Sequence, residues 1–316
     1  MNEERSLHHP MPSATTANAA PGARFLDPRV LARLDNLELV ARTVVEGFIN
    51  GLHRSPYLGL SLDFAEHRAY IPGDDIRRID WRLYARTDRF YVKQFEADTN
   101  ANVSILLDVS RSMSYGREGI PKLDYARFLA ACLAYFSHKQ RDRVGLATFD
   151  RDIVEYVPPA AGHLDLVLHA LDRARAGEPG ELRAPLAKLA ENYRRRGILI
   201  LVSDFYEEPD VVRGAVRRLR NRGNDIIVFH VLDEAELEFP FQDAANFEDL
   251  ETGVRIPVIP EYVRARYREL VSNHVSTLQR MLVEDGVDYT LMNTSTPLDH
   301  ALFTYLATRE RLNRVR

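Results

Sequence analysis

A doubly wound α/β fold with a mostly parallel sheet is what this sequence predicts, on three observations. From Val103 onward, strand-like and helix-like stretches alternate along the chain. "NVSILLD", "GILILVSD" and "DIIVFHVL" are short, nearly unbroken apolar runs, the pattern of strands covered on both faces. The stretches between them have the length and apolar spacing of the crossover helices that parallel strands require.

Residues 1–24, "MNEERSLHHPMPSATTANAAPGAR", are rich in Ala, Pro, Ser and Thr and read as a disordered tail. They lack the apolar core of a secretory signal. "DPRVLARLDNLELVARTVVEGFINGL" places apolar residues at 30, 31, 34, 37, 40, 44, 45 and 48, a helical spacing. Asp27 is the expected N-cap, Pro28 opens the first turn and Gly51 lies near the stop. From Gly51 to about Asp88 the periodicity dissolves into Gly, Pro, Asp, Arg and aromatic residues. "RFYVKQFEA" then alternates as a strand. Residues 25–95 thus form an N-terminal helical and irregular extension, and 96–316 the doubly wound domain.

Within that domain "NVSILLD" leads to the helix "KLDYARFLAACLAYFSHKQ", the strand "RVGLATF" and the short strand "IVEYV". Helical stretches at about 163–175 and 184–194 precede the strand "GILILVSD". The helix "PDVVRGAVRRLRNR" and the strand "DIIVFHVL" follow. An irregular or hairpin section over about 234–259 leads to a long helix at 260–284, the strand "VDYTLMN" and a last helix from Leu298. No internal repeat is present.

Composition bounds the function. The chain has 316 residues, 45% hydrophobic and 28% charged, which suits a globular protein with a sizeable core. A formal net charge of −4 argues against nucleic acid as a partner. The arginines of "RGAVRRLRNRG" alternate with Val212, Val216 and Leu219 at helical spacing, so they form a solvated face. Cys132 is the single cysteine, within "FLAACLAYF", so it reads as a buried thiol in a reducing compartment. The longest apolar run, Phe128 to Phe136, falls well short of the roughly 18 residues that cross a bilayer. A cytoplasmic location is expected.

In doubly wound sheets ligands bind at the carboxyl ends of the strands. Asp108 ends "NVSILLD", and Ser110 and Ser112 follow at alternating positions. Asp204 ends "ILILVS", placing it on the same rim if the two strands are neighbours. Two carboxylates and two hydroxyls make an oxygen-only site of low charge. Such a site suits Mg²⁺ or Mn²⁺, whose octahedral shell water completes. The bland alternative is a βα turn whose serines cap the next helix.

Asp108-Val109-Ser110-Arg111-Ser112 resembles the D-x-S-x-S motif of von Willebrand factor A domains, whose sheet is Rossmann-type. The resemblance implies a metal-ion-dependent adhesion site in which Asp108, Ser110, Ser112 and Asp204 hold a divalent cation. A protein partner supplies a carboxylate to the cation's open position. The family's threonine is not evident. Gly180-Glu181 stands in the place of its usual Gly-Thr, which implies weak affinity, with Glu181 as another source of oxygen.

"SPYLGLSLDFAEHRAYIPGDDIRRIDWRLYART" closely resembles the signature that precedes an A-type domain in the bacterial family called domain of unknown function 58. The matching residues include Gly59, Phe64, Arg68, Tyr70, Pro72, Gly73, Asp74, Asp75, Arg77, Asp80 and Trp81. The resemblance spans about residues 30 to 310. It implies association with a MoxR-type AAA+ ATPase, or its client, in chaperone-like maturation or metal insertion. Asp74, Asp75, Arg77, Asp80 and Trp81 read either as an ion-pair cluster pinning the extension to the sheet or as a docking surface. On the first reading Trp81 is a buried bridge between the two.

No P-loop, G-x-S-x-G or H-E-x-x-H is found, and the ten histidines form no ligand-spaced cluster. A haloacid-dehalogenase-like phosphatase would need an aspartate where Ser110 stands. The expectation is therefore a non-enzymatic, cation-using protein-binding module, with an unusual metal-dependent phosphatase as the alternative.

Overall fold

The protein's structure, a computed structural model, describes residues 28–31, 36–54, 66–71, 79, 81–94, 101–117, 120–193 and 196–315. The expected tail, the Asp27 cap, Asp74, Asp75, Arg77 and Asp80 lie outside the described residues.

The first helical stretch is found as α1 (Pro28–Leu31) and α2 (Leu37–Arg54). Gly51 does not stop α2, which runs three residues further to Arg54. Next come β1 (Glu66–Ala69), α3 (Trp81–Thr87) and β2 (Tyr91–Gln94), with β1 and β2 paired antiparallel as a small separate sheet. The main domain then runs β3 (Asn102–Asp108), α4 (Lys122–Lys139), β4 (Arg143–Phe149), β5 (Ile153–Ala160), α5 (Leu164–Arg173) and α6 (Arg183–Asn192). It continues with β6 (Ile198–Ser203), α7 (Pro209–Arg220), β7 (Asp225–Leu232) and α8 (Glu234–Glu238). The hairpin β8 (Ala245–Glu248) and β9 (Arg255–Val258) precedes α9 (Pro260–Glu284), β10 (Asp288–Asn293) and α10 (Leu298–Val315).

The main sheet has six strands in the order β10-β7-β6-β3-β4-β5. Every pairing is parallel except β4 with β5. That exception follows from chain length: residues 150–152 are too few for a crossover, so the chain must fold straight back. The fold is thus the expected mixed α/β sheet flanked by helices, with one antiparallel edge.

Strand residues alternate between two apolar layers. Ile105 and Leu107 of β3 face the core shared with α2, α4, α5 and α10. Leu106 faces the other, shared with α6, α7 and α9. Both layers are built of buried apolar side chains, and each Leu, Ile or Phe taken fully from water there contributes roughly 1.5–3 kcal/mol. Val40, Ala41, Val44, Val45 and Phe48 make the buried stripe of α2, at the spacing the sequence showed. Phe48 meets Phe136 edge-on at 6.1 Å, which fastens α2 to α4. Cys132 is buried in α4, and burial raises its thiol pKa far above the ordinary value.

Trp81 is not the buried bridge of the first reading, since 59% of it is exposed. Its ring stands edge-on to Tyr84 at 6.2 Å and to Phe90 at 6.4 Å, over a Tyr84–Phe90 stack at 4.4 Å. No helix among the described residues is long and apolar enough to cross a membrane.

Candidate functional site

The strand order reverses direction at β3. From there the chain builds outward through β4 and β5, then crosses by α5 and α6 to β6 on the other side. Such a switch point opens a crevice at the carboxyl ends of the two central strands. β3 and β6 are parallel neighbours, with Leu107 opposite Val202. Asp108 and Asp204 therefore leave adjacent strands at the same end, and both are almost fully buried.

Local hydrogen bonds build the loop after β3. Asp108 Oδ1 accepts from the backbone N–H of Ser110 at 2.8 Å, a two-residue turn typical of aspartate. Asp108 Oδ2 accepts from Ser203 Oγ at 2.5 Å, tying the ends of β3 and β6 together. A 3-10 turn, Arg111–Ser114, follows, with Ser110 at its N-cap position. Neither serine plays the bland role of capping a helix. Ser110 makes no side-chain capping bond, and α4 begins only at Lys122. Instead Ser110 Oγ and Ser112 Oγ face each other at 3.1 Å, both buried.

The loop between α5 and α6 closes the next side. Gly177 N–H donates to Val109 O at 2.8 Å, and Arg111 N–H donates to Glu178 O at 3.1 Å. Gly180 packs so tightly that a Cβ there would lie 2.7 Å from Ser110 Cβ, so only glycine fits. Gly180-Glu181 thus borders the site where the resemblance placed it. Glu181 is exposed at the cavity wall, and no threonine lines the cavity among the described residues.

Beyond Asp204 the backbone enters the left-handed region at Phe205, φ 46°. Two bonds hold that turn: Phe205 N–H donates to Ser203 Oγ at 3.1 Å, and Phe205 O meets His274 Nε2 at 2.8 Å. A non-glycine residue in this region costs on the order of 1 kcal/mol or more, and such turns cluster at functional sites.

Sequence reasoning missed three charged residues here. Lys122 opens α4 yet is fully buried, with Nζ 2.7 Å from Asp204 Oδ2 and 2.8 Å from Glu236 Oε1. Its ammonium also lies 4.7 Å from the Tyr206 ring centroid. Burial pulls the lysine pKa down, but the charges of Asp204 and Glu236 overcome this and hold it above the ordinary value. Glu236 closes a capping box with Asp233 at the start of α8 and faces Lys122 with its other oxygen. Glu251, from the β8–β9 turn, accepts from Ser112 N–H and from Gly180 N–H, both at 2.7 Å. A faint signal existed for Lys122 alone, because a cation in a helix's first turn opposes the helix dipole.

The site is short of positive charge on the Asp108 side. Burial and the nearby Asp204 charge push the Asp108 carboxyl from 3.8 up to about 7, against the lowering effect of its bonds from Ser203 and Ser110. Among the described residues, no group of three or more His, Cys, Asp and Glu side chains forms a conventional metal cluster. The donors present are two carboxylates and paired hydroxyls, all oxygen. That set fits a hard divalent cation. A cavity of about 700 Å³ adjoins these residues. Phe239, Phe241, Phe247, Ile256 and Tyr267 give it an apolar wall.

The profile of the family described as "Protein of unknown function DUF58" matches residues 66–277. An uncharacterized protein of Mycobacterium tuberculosis, Rv1480, is 28% identical over 291 residues, covering 90% of this chain and 91% of its own length. Among solved structures, the conserved hypothetical protein BatB from Bacteroides thetaiotaomicron covers 67% of this chain and 99% of its own, at 15% identity and a TM-score of 0.46. The SpRpn10 VWA domain covers 64% and 94%, at 11% identity and a TM-score of 0.36. With scores this low, the fold rests on its own strand order.

Proposed function

This chain belongs to the DUF58 family, and from that membership and the geometry of the rim we propose that it is a non-enzymatic protein-binding module. In this reading Asp108, Ser110, Ser112 and Asp204 hold a divalent cation, Mg²⁺ or Mn²⁺, with water completing the shell. The bound cation supplies a Lewis-acidic seat for a carboxylate from a protein partner. One observation carries the reading: the Ser110 and Ser112 hydroxyls face each other at 3.1 Å beside Asp108, with no capping duty to perform.

The chain's own groups serve binding better than turnover. Both Asp108 oxygens accept hydrogen bonds, which orients the carboxylate and hinders its use as a nucleophile. Ser110 occupies the position where a haloacid-dehalogenase-like phosphatase would need an aspartate. Lys122 neutralises the far side of Asp204, leaving the Asp108 side as the part that gains from a cation. The resemblance of the N-terminal segment makes a MoxR-type AAA+ ATPase, or its client, the first partner to test.

The test is affinity capture of such an ATPase by the full chain, in Mg²⁺ and in EDTA. Capture should fail in EDTA, return with Mg²⁺, and weaken in Ser112→Ala and Asp204→Asn. Capture indifferent to EDTA and to both substitutions would overturn metal-bridged recognition.

A further inference from the structure

The β8–β9 hairpin joins neither edge of the main sheet, and most of its strand residues are exposed. Its turn is tightly built. Asp249 Oδ1 accepts from Glu251 N–H at 2.9 Å, Asp249 Oδ2 accepts from Thr252 Oγ1 at 2.7 Å, and Gly253 takes a φ of +71°. This turn aims Glu251 back at the rim. There one carboxylate spans two loops, taking the Ser112 N–H on Oε1 and the Gly180 N–H on Oε2. Gly180 can approach so closely because a side chain at that position would collide with Ser110.

We propose that Glu251 is a built-in occupant of two backbone N–H donors beside the cation position, Ser112 and Gly180, which the partner's carboxylate must take with its second oxygen when its first meets the cation; this makes the β8–β9 hairpin an autoinhibitory gate. The proposal rests on the metal-bridged reading of the same rim and adds its regulation. A carboxylate arriving from solvent meets a seat whose two N–H donors already hold an anion, and two carboxylates cannot share them. Glu251 competes from within the same folded chain, at the effective concentration that an intramolecular group has over a free one. A free acidic side chain is therefore a weak competitor. The partner that succeeds presents its carboxylate beside an apolar side chain. That side chain gains the aromatic wall of Phe239, Phe241 and Phe247, where Phe247 now stacks on Phe239 at 5.4 Å.

The test reads the backbone amide resonances of Ser112 and Gly180 in the ¹⁵N-labelled full chain, with acetate as the probe carboxylate. In the wild type both amides should stay unmoved by acetate to tens of millimolar. In Glu251→Ala both should shift when the internal carboxylate is lost and shift back as acetate fills the seat. Apparent acetate affinity should be at least about tenfold tighter than in the wild type. Glu251→Gln, which keeps the shape and removes the charge, should show the same response in weaker form, and it guards against a misfolded alanine variant. Equal acetate response in wild type and variants, or none in either variant, overturns the gate. Broadening of the Ser110 resonance by Mn²⁺ in the same samples reads the cation separately. Broadening without an acetate response removes the gate and leaves the cation reading standing. An acetate response without broadening removes the cation and with it the regulation of metal-bridged binding, leaving Glu251 only as the occupant of the two amides.

Discussion

Lys122 Nζ sits 2.7 Å from Asp204 Oδ2, and the two side chains are 0% and 4% exposed. A buried ion pair contributes little net stability when whole, but breaking one side leaves a bare charge in the interior. Lys122→Met keeps the length and removes the charge, stranding Asp204 and Glu236. The expected cost is about 3–5 kcal/mol by urea unfolding. Mg²⁺ should recover part of the loss, by supplying positive charge on the other side of Asp204. A variant as stable as the wild type would show that the pair has no such role.

Asp108 gives the protein a pH dependence whose sign is fixed. Its folded pKa, about 7, lies above the unfolded value of 3.8, so the folded state binds the proton more tightly. The stability this contributes is complete below the unfolded value and is lost as pH rises through about 7, with a slope of at most roughly 1.4 kcal/mol per unit. Asp108→Asn should abolish that slope when unfolding is compared at about pH 5 and about pH 8. A slope unchanged in the variant would place its origin elsewhere.

His230 tilts stability the other way. Burial holds its imidazole at about 3, beside His274, with Nδ1 2.7 Å from Tyr289 Oη. A depressed folded value means that stability is complete above the ordinary 6.5 and falls as pH drops toward 3. His230→Phe should blunt acid unfolding in that window, followed by circular dichroism. An acid transition at the same pH as in the wild type would contradict this.

What the sequence made legible was local. The alternation of Asp108, Ser110 and Ser112 needs only one loop, and Asp204 is marked by the apolar strand before it. The antiparallel direction of β5 went unread, although the three-residue link from Phe149 to Ile153 leaves no room for a helix. The site's other members arrive from distant chain. Lys122 pairs with residues 82 and 114 positions away, and Glu251 reaches Ser112 across 139. Nothing periodic marks a glutamate in an exposed turn as part of a buried rim. Trp81 deceived for a different reason, because a lone tryptophan among charges looks like a core anchor and here lies largely in solvent.

For Trp81 the consequence is measurable. Its edge-on contacts with Tyr84 and Phe90 are each worth roughly 0.5–1.5 kcal/mol, so Trp81→Ala should lower stability by about 1–3 kcal/mol. A loss of 4 kcal/mol or more, on the order of a buried aromatic, would mean that the ring is covered in solution. A small loss of stability together with lost capture of the ATPase would mark it as an exposed docking anchor.

The cation itself is the central claim, and Mn²⁺ binding followed by its electron paramagnetic resonance signal tests it most directly. Titrated into the full chain at about pH 8, where Asp108 is ionised, Mn²⁺ should lose free signal to one site per chain. Mg²⁺ should compete for that site, and Asp108→Asn should abolish it. Free signal that tracks added Mn²⁺ to tens of millimolar, or equal binding by wild type and Asp108→Asn, would contradict the account.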